Sequence, residues 1–405
     1  MEIDGSRVGI IGGSIAGCAT AIAASRLGAD VTVFERSSST LRDRGSGIAV
    51  PVALCDELKE AGYLPADYAA WSASSRRWIA ADGTDDGDLR WTQPGQARMN
   101  NWGGLWRALR ERVPDERYVD GAHVITIEPD GDGVAVELEG GRRDRFDVVF
   151  GADGYRSRVR TLLHPESAPQ FAGYVLWRGN FPESELADRS AWEFVLAENS
   201  WVSVGFPGGH AVMYPIPDFD AVGGEGPYRV NWAIYAPTPA GLELEGPSSI
   251  PPGEVAAALH ADLRALIERH VPPRLQPLFA GACDDVSIQP VYDELVDHYT
   301  AGRIALIGDA ATLSRPHTGS GATKAIQDAM LIESLGAQHA DWDDLLAAYD
   351  ADRSETGRTL VELGRRIGRD QVECTPPWGE MGADEYAAWA AGTLAGESLY
   401  FWGDD

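Results

Sequence analysis

Gly12, Gly13, Ser14, Ile15, Ala16 and Gly17 form a tight turn, GGSIAG, after the apolar run VGII (8–11). The run is of buried-strand type. The segment after the turn sets small and apolar residues at helical spacing, and a second apolar run ends in Glu35 and Arg36. Strand, glycine turn, helix, strand and acid make a βαβ unit of the dinucleotide-binding kind. Gly12 permits the turn, Gly17 lets the helix lie close to the strand, and the amides at the helix N-terminus face a diphosphate. Ser14 stands where this pattern has its middle glycine, and a serine is small enough there provided its φ is negative. A carboxylate at Glu35 accepts from ribose hydroxyls and disfavours a 2′-phosphate, which suits FAD or NAD over NADP.

The elements around this unit are of two kinds. From 121 to 150 the apolar period changes to two, and AHVITIEP, DGDGVAVELEGG and RRDRFDVVFGADG read as three antiparallel strands joined by Asp/Gly turns. Residues 174–236 are again sheet-like, with WVSVGFPGGHAVMYPIP and YRVNWAIYAP the clearest strands. Residues 253–271 read as an amphipathic helix, 302–311 as a strand and turn, 321–338 as a helix, and 342–372 as one or two long helices. The expected fold is α/β (mixed α+β). A Rossmann-like nucleotide domain (1–70, 99–170 and 284–370) is interrupted by a β-sheet-rich substrate domain (71–98 and 171–283), and C-terminal helices follow. Trp378, Trp389 and Trp402 predict that the tail, 371–405, packs on the body. The substrate is expected where the two domains meet.

Composition narrows the function classes. The 405 residues carry 34 Lys and Arg against 62 Asp and Glu, a formal net charge of -28. Such a surface repels phosphate backbones and anionic lipid, so neither nucleic acid nor a membrane is an expected partner. The four cysteines are far apart and form no CxxC, which predicts no metal site and no disulfide framework and fits a reducing cytoplasm. The uncharged run 8–25 is rich in Gly and Ala and follows a segment that is not net positive, so it reads poorly as a signal peptide. A cytoplasmic location is expected.

Two further motifs, GADGYRSRVR (151–160) and GDAATLSRPHTGSGATKAIQDA (308–329), follow the first in order. With all three, the chain resembles the single-component FAD-dependent aromatic hydroxylases of the para-hydroxybenzoate hydroxylase fold, over about residues 7–370. FAGYVLWRG (171–179), GHAVMYPIP (209–217) and RPHTGSGATKA (315–325) look like the branch that contains 2,6-dihydroxypyridine 3-hydroxylase, where the serine of GGSIAG also occurs. The resemblance implies non-covalent FAD, with Gly12, Ser14 and Gly17 at the diphosphate and Glu35 at the adenosine ribose. It implies that Arg36 and Arg44 flank the cofactor and that Gly47, in RGSGIAVP (44–51), passes near the flavin. Asp153 helps shape the FAD and NAD(P)H surfaces, and Asp309 binds the ribityl chain. Pro316, Gly319, Gly321 and Ala322 lie against the isoalloxazine, where amides before a helix supply donors to its carbonyl edge. Two positions depart from the family pattern: Thr312 stands where many relatives carry His, and Trp102 where many carry Arg.

The implied chemistry is a monooxygenation. With one dinucleotide fingerprint and no CxxC, NADPH or NADH binds transiently, reduces FAD and leaves. O2 then forms a C4a-hydroperoxyflavin that hydroxylates an electron-rich aromatic or N-heteroaromatic ring. The protein must exclude water, orient the ring and polarise a ring hydroxyl. Candidates for that last task are His317, Tyr214, Tyr235, Asn231 and His210. His317 follows Pro316 and is the natural base near neutral pH, and Asn231 and Tyr235 share a strand face. Trp177 and Arg178 read as packing and domain-interface residues. Epoxidation or Baeyer–Villiger oxidation of a natural-product intermediate is the alternative chemistry, and a flavin-binding protein without turnover the non-enzymatic one. A flavin halogenase is disfavoured because WxWxIP is missing. A homodimer is what the family suggests.

Overall fold

The structure is a computed structural model and describes residues 1–38, 46–221, 223, 226–244, 246, 248–280 and 286–395. Arg44, Cys283 and Trp402 lie outside the described residues.

The first βαβ unit forms as its pattern predicts. Arg7–Ile11 and Asp30–Phe34 are parallel neighbours, joined by the helix Ile15–Arg26. They sit inside a six-stranded sheet with Val148–Gly151, Ile304–Leu306, Thr300–Ala301 and Tyr118–Val119. Its central strands are apolar throughout because helices and a second layer cover both faces. The meander 124–146 forms a separate three-stranded sheet. The meander leads into a further strand, as DVVFGADG predicts, with Arg143–Phe146 and Val148–Gly151 divided at Asp147. Its carboxylate accepts from the Arg7 amide at 2.7 Å and its own amide donates to the Arg7 carbonyl at 2.8 Å, which turns the chain into the parallel sheet.

The second unit is an eight-stranded sheet. Its order is Ser287–Asp293, Gln170–Pro182, Tyr228–Pro237, Gly209–Pro217, Ser200–Phe206, Trp71–Ala80, Asp88–Asn101 and Gly47–Val50. Both end strands, 47–50 and 287–293, come from segments expected in the nucleotide domain. Alternation gives the sheet two unlike faces. One face carries Val202, Val204, Met213, Trp232, Ile234 and Trp177, all in one apolar core. The helices Ser190–Leu196 and Ala257–His270 cover it, through Trp192 and Val195 on the first and Leu263 and Ile267 on the second. The opposite face carries Arg76, Ser203, His210, Tyr235, Leu176 and Gln289, of which His210, Tyr235, Leu176 and Gln289 are in register across four strands. The sheet is curled: the edge residue Gly47 reaches back to Asn231 and Arg178, on strands far along the order.

The long C-terminal helix is single, Trp342–Gly368, and its end loosens into a π-turn, Arg369–Glu373. The tail then packs on the eight-stranded sheet. Trp378 stacks on Trp78 with centroids 5.0 Å apart and planes 12° apart, and Trp389, on the helix Ala383–Leu394, meets the same ring edge-on.

The turn Gly308–Ala310 joins the two units and rests on a buried ionic cluster. Asp328 accepts from the Gly308 amide at 2.8 Å, from Lys324 at 2.9 Å and from Arg353 at 2.6 Å, and Lys324 also donates to the Gly308 carbonyl at 3.1 Å. Burial alone raises the Asp328 carboxyl, but Lys324 and Arg353 outweigh it and hold the group below its ordinary range. Asp328→Ala removes the shared anion and leaves two buried cations, a change that costs about 3–5 kcal/mol where a buried pair is broken. Urea unfolding of the variant is expected to show that loss, and a loss below about 1 kcal/mol would mean that the cluster does not hold the turn.

Candidate functional site

Two cavities meet at the Gly308–Ala310 turn. The first, about 380 Å³, lies between the polar face of the eight-stranded sheet and the segment 313–322. The second, about 400 Å³, lies over the first βαβ turn. Asp309 and Trp102 line both.

The second cavity is a dinucleotide cradle. Gly12 has φ +104°, and a Cβ there would stand 2.3 Å from the Ala152 carbonyl oxygen, so the turn requires glycine. Ser14 has φ -79° and ψ -163°, makes no cap bond with its side chain, and lines the cavity. The serine therefore meets the backbone condition that the middle position sets. Of the turn's six residues only Gly12 and Ser14 line the cavity. Gly13 is buried beneath it: its amide donates to Glu35 Oε2 at 2.8 Å and its carbonyl accepts from Trp106 Nε1 and Tyr118 OH. Ile15 is in the core, Ala16 faces Gly308, and Gly17 packs so close that a Cβ would stand 1.8 Å from the Gly12 carbonyl oxygen. Gly13, Ile15, Ala16 and Gly17, expected with Gly12 and Ser14 in the cofactor-binding turn, lie behind the cavity lining and shape that turn.

Glu35 lines the cavity with one carboxylate oxygen on Gly13 and the other accepting from the Ser37 amide at 2.9 Å, which fixes its orientation at the strand end. Arg36, Arg156 and Arg158 bring positive charge to the same space, which suits a diphosphate. Asp153 lines it too, but its carboxylate is held by Ser157 Oγ at 2.5 Å and the Arg158 amide at 2.7 Å, so it shapes the wall and caps the helix Arg158–Leu163. Asp309 is fixed through its backbone: Arg160, paired with Glu294 at 2.7 Å, donates to the carbonyls of Asp309 and Ala310. Burial raises the Asp309 carboxyl. An acceptor at the junction of the cavities suits a polyol that runs from one to the other. Two joined spaces, glycines where a Cβ would clash, and cations by the turn together fit FAD.

In the first cavity, Pro316, Gly319, Gly321 and Ala322 form one wall, at the start of the helix Gly321–Gly336. Gly319 adopts φ +64°, which turns the chain into that helix. His317 belongs to the same segment, and His210, Tyr235 and Tyr214 stand on the facing sheet strands. His317 stacks on Tyr235 at 4.1 Å, and Tyr235 stacks on His210 at 4.7 Å. Asn231, expected in the pocket, is not among its lining residues: its Oδ1 accepts from the Gly47 amide at 2.8 Å. Arg178, expected to be a packing residue, lines the cavity and donates to the Gly47 carbonyl at 2.9 Å. Both clamp the Gly47 peptide, where a Cβ would stand 2.5 Å from Asn231. Trp102, Arg76 and Gln371 are lining residues that the sequence reading did not select. Alternation along SSRRWIA places Arg76 on the same face as Trp78, a usable signal; nothing in the local sequence marks Gln371.

His317 differs from expectation in its ionisation. Burial, then Arg315 and Arg76, push its imidazole down to about 3, so it is neutral at physiological pH. Burial, then His317 and Arg76, push His210 well below its ordinary value too. Tyr174 OH accepts from Arg315 Nη1 at 3.4 Å and lies 2.8 Å from His317 Nε2. Nδ1 is buried without a partner among the described residues. A neutral imidazole at this position is not a group that titrates near pH 7.

Both imidazoles are less basic folded than unfolded, so the unfolded chain binds more protons below the ordinary value of 6.5, for His317 down to about pH 3. Their contribution to stability is complete above pH 6.5 and is lost as the pH falls through that window. Unfolding free energy measured from pH 4.5 to 7.5 is expected to rise with pH, and less steeply in His317→Asn. An identical slope in the variant would contradict a neutral buried His317.

Three family models match the chain: an FAD dependent oxidoreductase model at residues 7–159, an FAD binding domain-like model at 171–286 and an FAD binding domain model at 258–363. The 2,6-dihydroxypyridine 3-monooxygenase of Paenarthrobacter nicotinovorans is 30% identical over 371 residues, with 89% of this chain and 90% of that protein covered. A 3-amino-4-hydroxybenzoate 2-monooxygenase of Streptomyces platensis is 28% identical over 382 residues, covering 90% and 88%. The solved structure of 2,6-dihydroxypyridine-3-hydroxylase from Arthrobacter nicotinovorans superposes with a TM-score of 0.81 at 25% identity, covering 93% of this chain and 96% of that one. Klebsiella pneumoniae HpxO, solved with FAD and uric acid, shares the fold at a TM-score of 0.74 and 20% identity, covering 96% and 93%. Among the described residues, no helix is long and apolar enough to cross a membrane.

Proposed function

The chain belongs to the single-component FAD-dependent monooxygenases, the aromatic hydroxylases, and from that premise we propose that it hydroxylates a phenolic or hydroxylated N-heteroaromatic ring in the first cavity. The observation that carries this reading is that His317, Tyr235 and Tyr214 line one cavity with the glycine turn 319–321, His317 stacked on Tyr235. The names of the two curated relatives describe rings that carry both nitrogen and hydroxyl, which supports the same class. When bound, FAD supplies the reduction of dioxygen and the transfer of one oxygen atom, with NADPH or NADH as electron donor.

Each residue then has a task. Glu35 holds the adenosine ribose, and Gly12 and Ser14 admit the diphosphate, with Arg36 beside it. Asp309 accepts from the ribityl chain. The amides at the start of the helix Gly321–Gly336 face the carbonyl edge of the flavin. Asn231 and Arg178 hold the Gly47 peptide against the flavin as positioning residues. Tyr235 and Tyr214 exclude water and stack with the ring. His317 donates to a ring oxygen and stabilises it as an oxyanion, which makes the ring more electron-rich. In this division residues 1–70, 99–170 and 284–370 hold the cofactor, and 71–98 and 171–283 enclose the substrate. The tail, 371–405, is the segment that packs on the body. A cytoplasmic location and a homodimer are inferences from the resemblance and from the separated cysteines.

The test is NAD(P)H consumption by the purified FAD-loaded protein with 2,6-dihydroxypyridine, simple phenols and polycyclic phenols, with peroxide and product measured together. Stimulated consumption with an equal yield of ring-hydroxylated product is expected from at least one ring. Stimulation that yields only peroxide, or none with FAD bound, would reject the ring class; an epoxide or ring-expanded product would support the alternative chemistry. With an accepted ring, His317→Gln is expected to lower kcat about a hundredfold and divert turnover to peroxide. Unchanged kcat and coupling would remove His317 from the reaction.

A further inference from the structure

The C-terminal segment brings an unengaged polar side chain into the first cavity. Gln371 stands on the π-turn Arg369–Glu373, at the end of the long helix, and is 5% exposed. It lines the first cavity. Its amide oxygen and nitrogen make no hydrogen bond among the described residues, and neither is sealed off from the cavity. The second glutamine of the lining, Gln289, is engaged, since its Oε1 accepts from Arg178 Nη1 at 3.5 Å. A buried amide without a partner is costly, and nearly all such groups are paired.

The π-turn that carries Gln371 is held on three sides. Glu373 accepts from Arg315 Nη1 at 2.6 Å, which ties the turn to the segment that leads into Pro316. Asp370 accepts from Thr393 Oγ1 at 2.8 Å, on the helix Ala383–Leu394. Thr375, just beyond the turn, accepts from the Gly208 amide at 3.1 Å. His210 hydrogen-bonds to the Gln371 backbone and stacks on Tyr235 at 4.7 Å. The amide therefore enters the cavity from a fixed backbone, beside the strands Gly209–Pro217 and Tyr228–Pro237. π-turns of this kind recur at functional sites.

A carboxamide sets a donor and an acceptor side by side. It pairs bidentately with a ring edge that shows the same two groups in the opposite sense, as asparagine and glutamine do with adenine. A lactam is such an edge: its ring N–H donates to Oε1 while its carbonyl accepts from Nε2. A phenol offers a single oxygen and closes only one of the two bonds. We propose that Gln371 determines specificity at this site by reading the lactam edge of a hydroxylated N-heteroaromatic ring in its keto form. Two parallel bonds also fix the rotation of the ring in its own plane, and hence which ring carbon is presented to the glycine turn 319–321. The inference rests on the first cavity being the substrate site and narrows the ring class of the proposed function to lactams.

The experiment is equilibrium binding of 2-pyridone and phenol to the FAD-loaded protein without NAD(P)H, followed by calorimetry. The two probes match in size and differ in the ring edge. N-methyl-2-pyridone, whose ring nitrogen has no proton, is the third probe. The wild type is expected to bind 2-pyridone at least about tenfold more tightly than either of the others. Gln371→Met keeps the length of the side chain without its donor and acceptor, and is expected to abolish the difference. Gln371→Glu keeps an acceptor and is expected to retain part of it. Each variant is first required to bind FAD stoichiometrically and to unfold cooperatively, and Gln371→Glu with the N-methyl probe serves as the comparison if Gln371→Met fails to fold. Equal affinities or no binding of 2-pyridone in the wild type, or a 2-pyridone preference that survives Gln371→Met, would overturn the assignment. Because no turnover is involved, a preference that depends on Gln371 without any ring hydroxylation would leave the assignment standing and reject the function reading. Ring hydroxylation with equal affinities would do the reverse.

Discussion

Asp328 carries more of this structure than its position in the middle of a helix suggests. Its two oxygens hold the Gly308 amide and two buried cations, Lys324 and Arg353. From the opposite side Arg160, paired with Glu294, holds the carbonyls of Asp309 and Ala310. Gly308–Ala310 is therefore gripped by two ion clusters on separate elements, and Asp309 is presented where the two cavities meet. Buried charges of this kind contribute little net stability compared with apolar packing, but each becomes costly once a partner is lost. Such a cluster suits a turn that must keep one geometry, because any displacement of Gly308 breaks several charge-assisted bonds together.

The same principle of one rigid frame governs the eight-stranded sheet. Its alternation separates an apolar face, buried under helices, from a face that carries the cavity's polar and aromatic groups. A one-residue slip in register would exchange those faces, so the core that stabilises the sheet also fixes which side chains reach the cavity. Curling of the sheet brings Gly47, at its edge, onto Asn231 and Arg178, and the missing Cβ of Gly47 makes that approach possible. The strands 47–50 and 287–293 thus tie the nucleotide-binding segments to the substrate wall by backbone pairing.

Much of the fold was legible because it depends on local pattern: the βαβ unit, the meander, the long helix and the packed tail all follow from period, turns and aromatic content. Ser14 was legible as well, since its requirement was a backbone angle and the angle is -79°. The site was legible in outline and less so in role. Period two placed Asn231 on the cavity face, but a partner distant in sequence, Gly47, engages its side chain. His317 lies against the expected neighbours, yet its ionisation depends on burial and on Arg315 and Arg76, which no spacing rule brings together. Trp102, legible only as a departure from the family pattern, lines both cavities and puts an indole at their junction. Gln371 was unreadable because only the loosening of a helix end turns it inward.

The tail shows how the parts combine. It contributes an aromatic cluster against the far edge of the substrate sheet, with Trp378 and Trp389 on Trp78 and Tyr386 beside them. The long helix that delivers it also carries Arg353, which grips Asp328 and through it the Gly308 turn. One continuous element therefore runs from the ion cluster beneath the flavin-side turn to the π-turn at the substrate cavity and on to the stack on Trp78. Movement of the tail would be felt at both cavities. The cavity wall, with Arg76 and Arg178 in its lining, contrasts with the chain's net charge of -28.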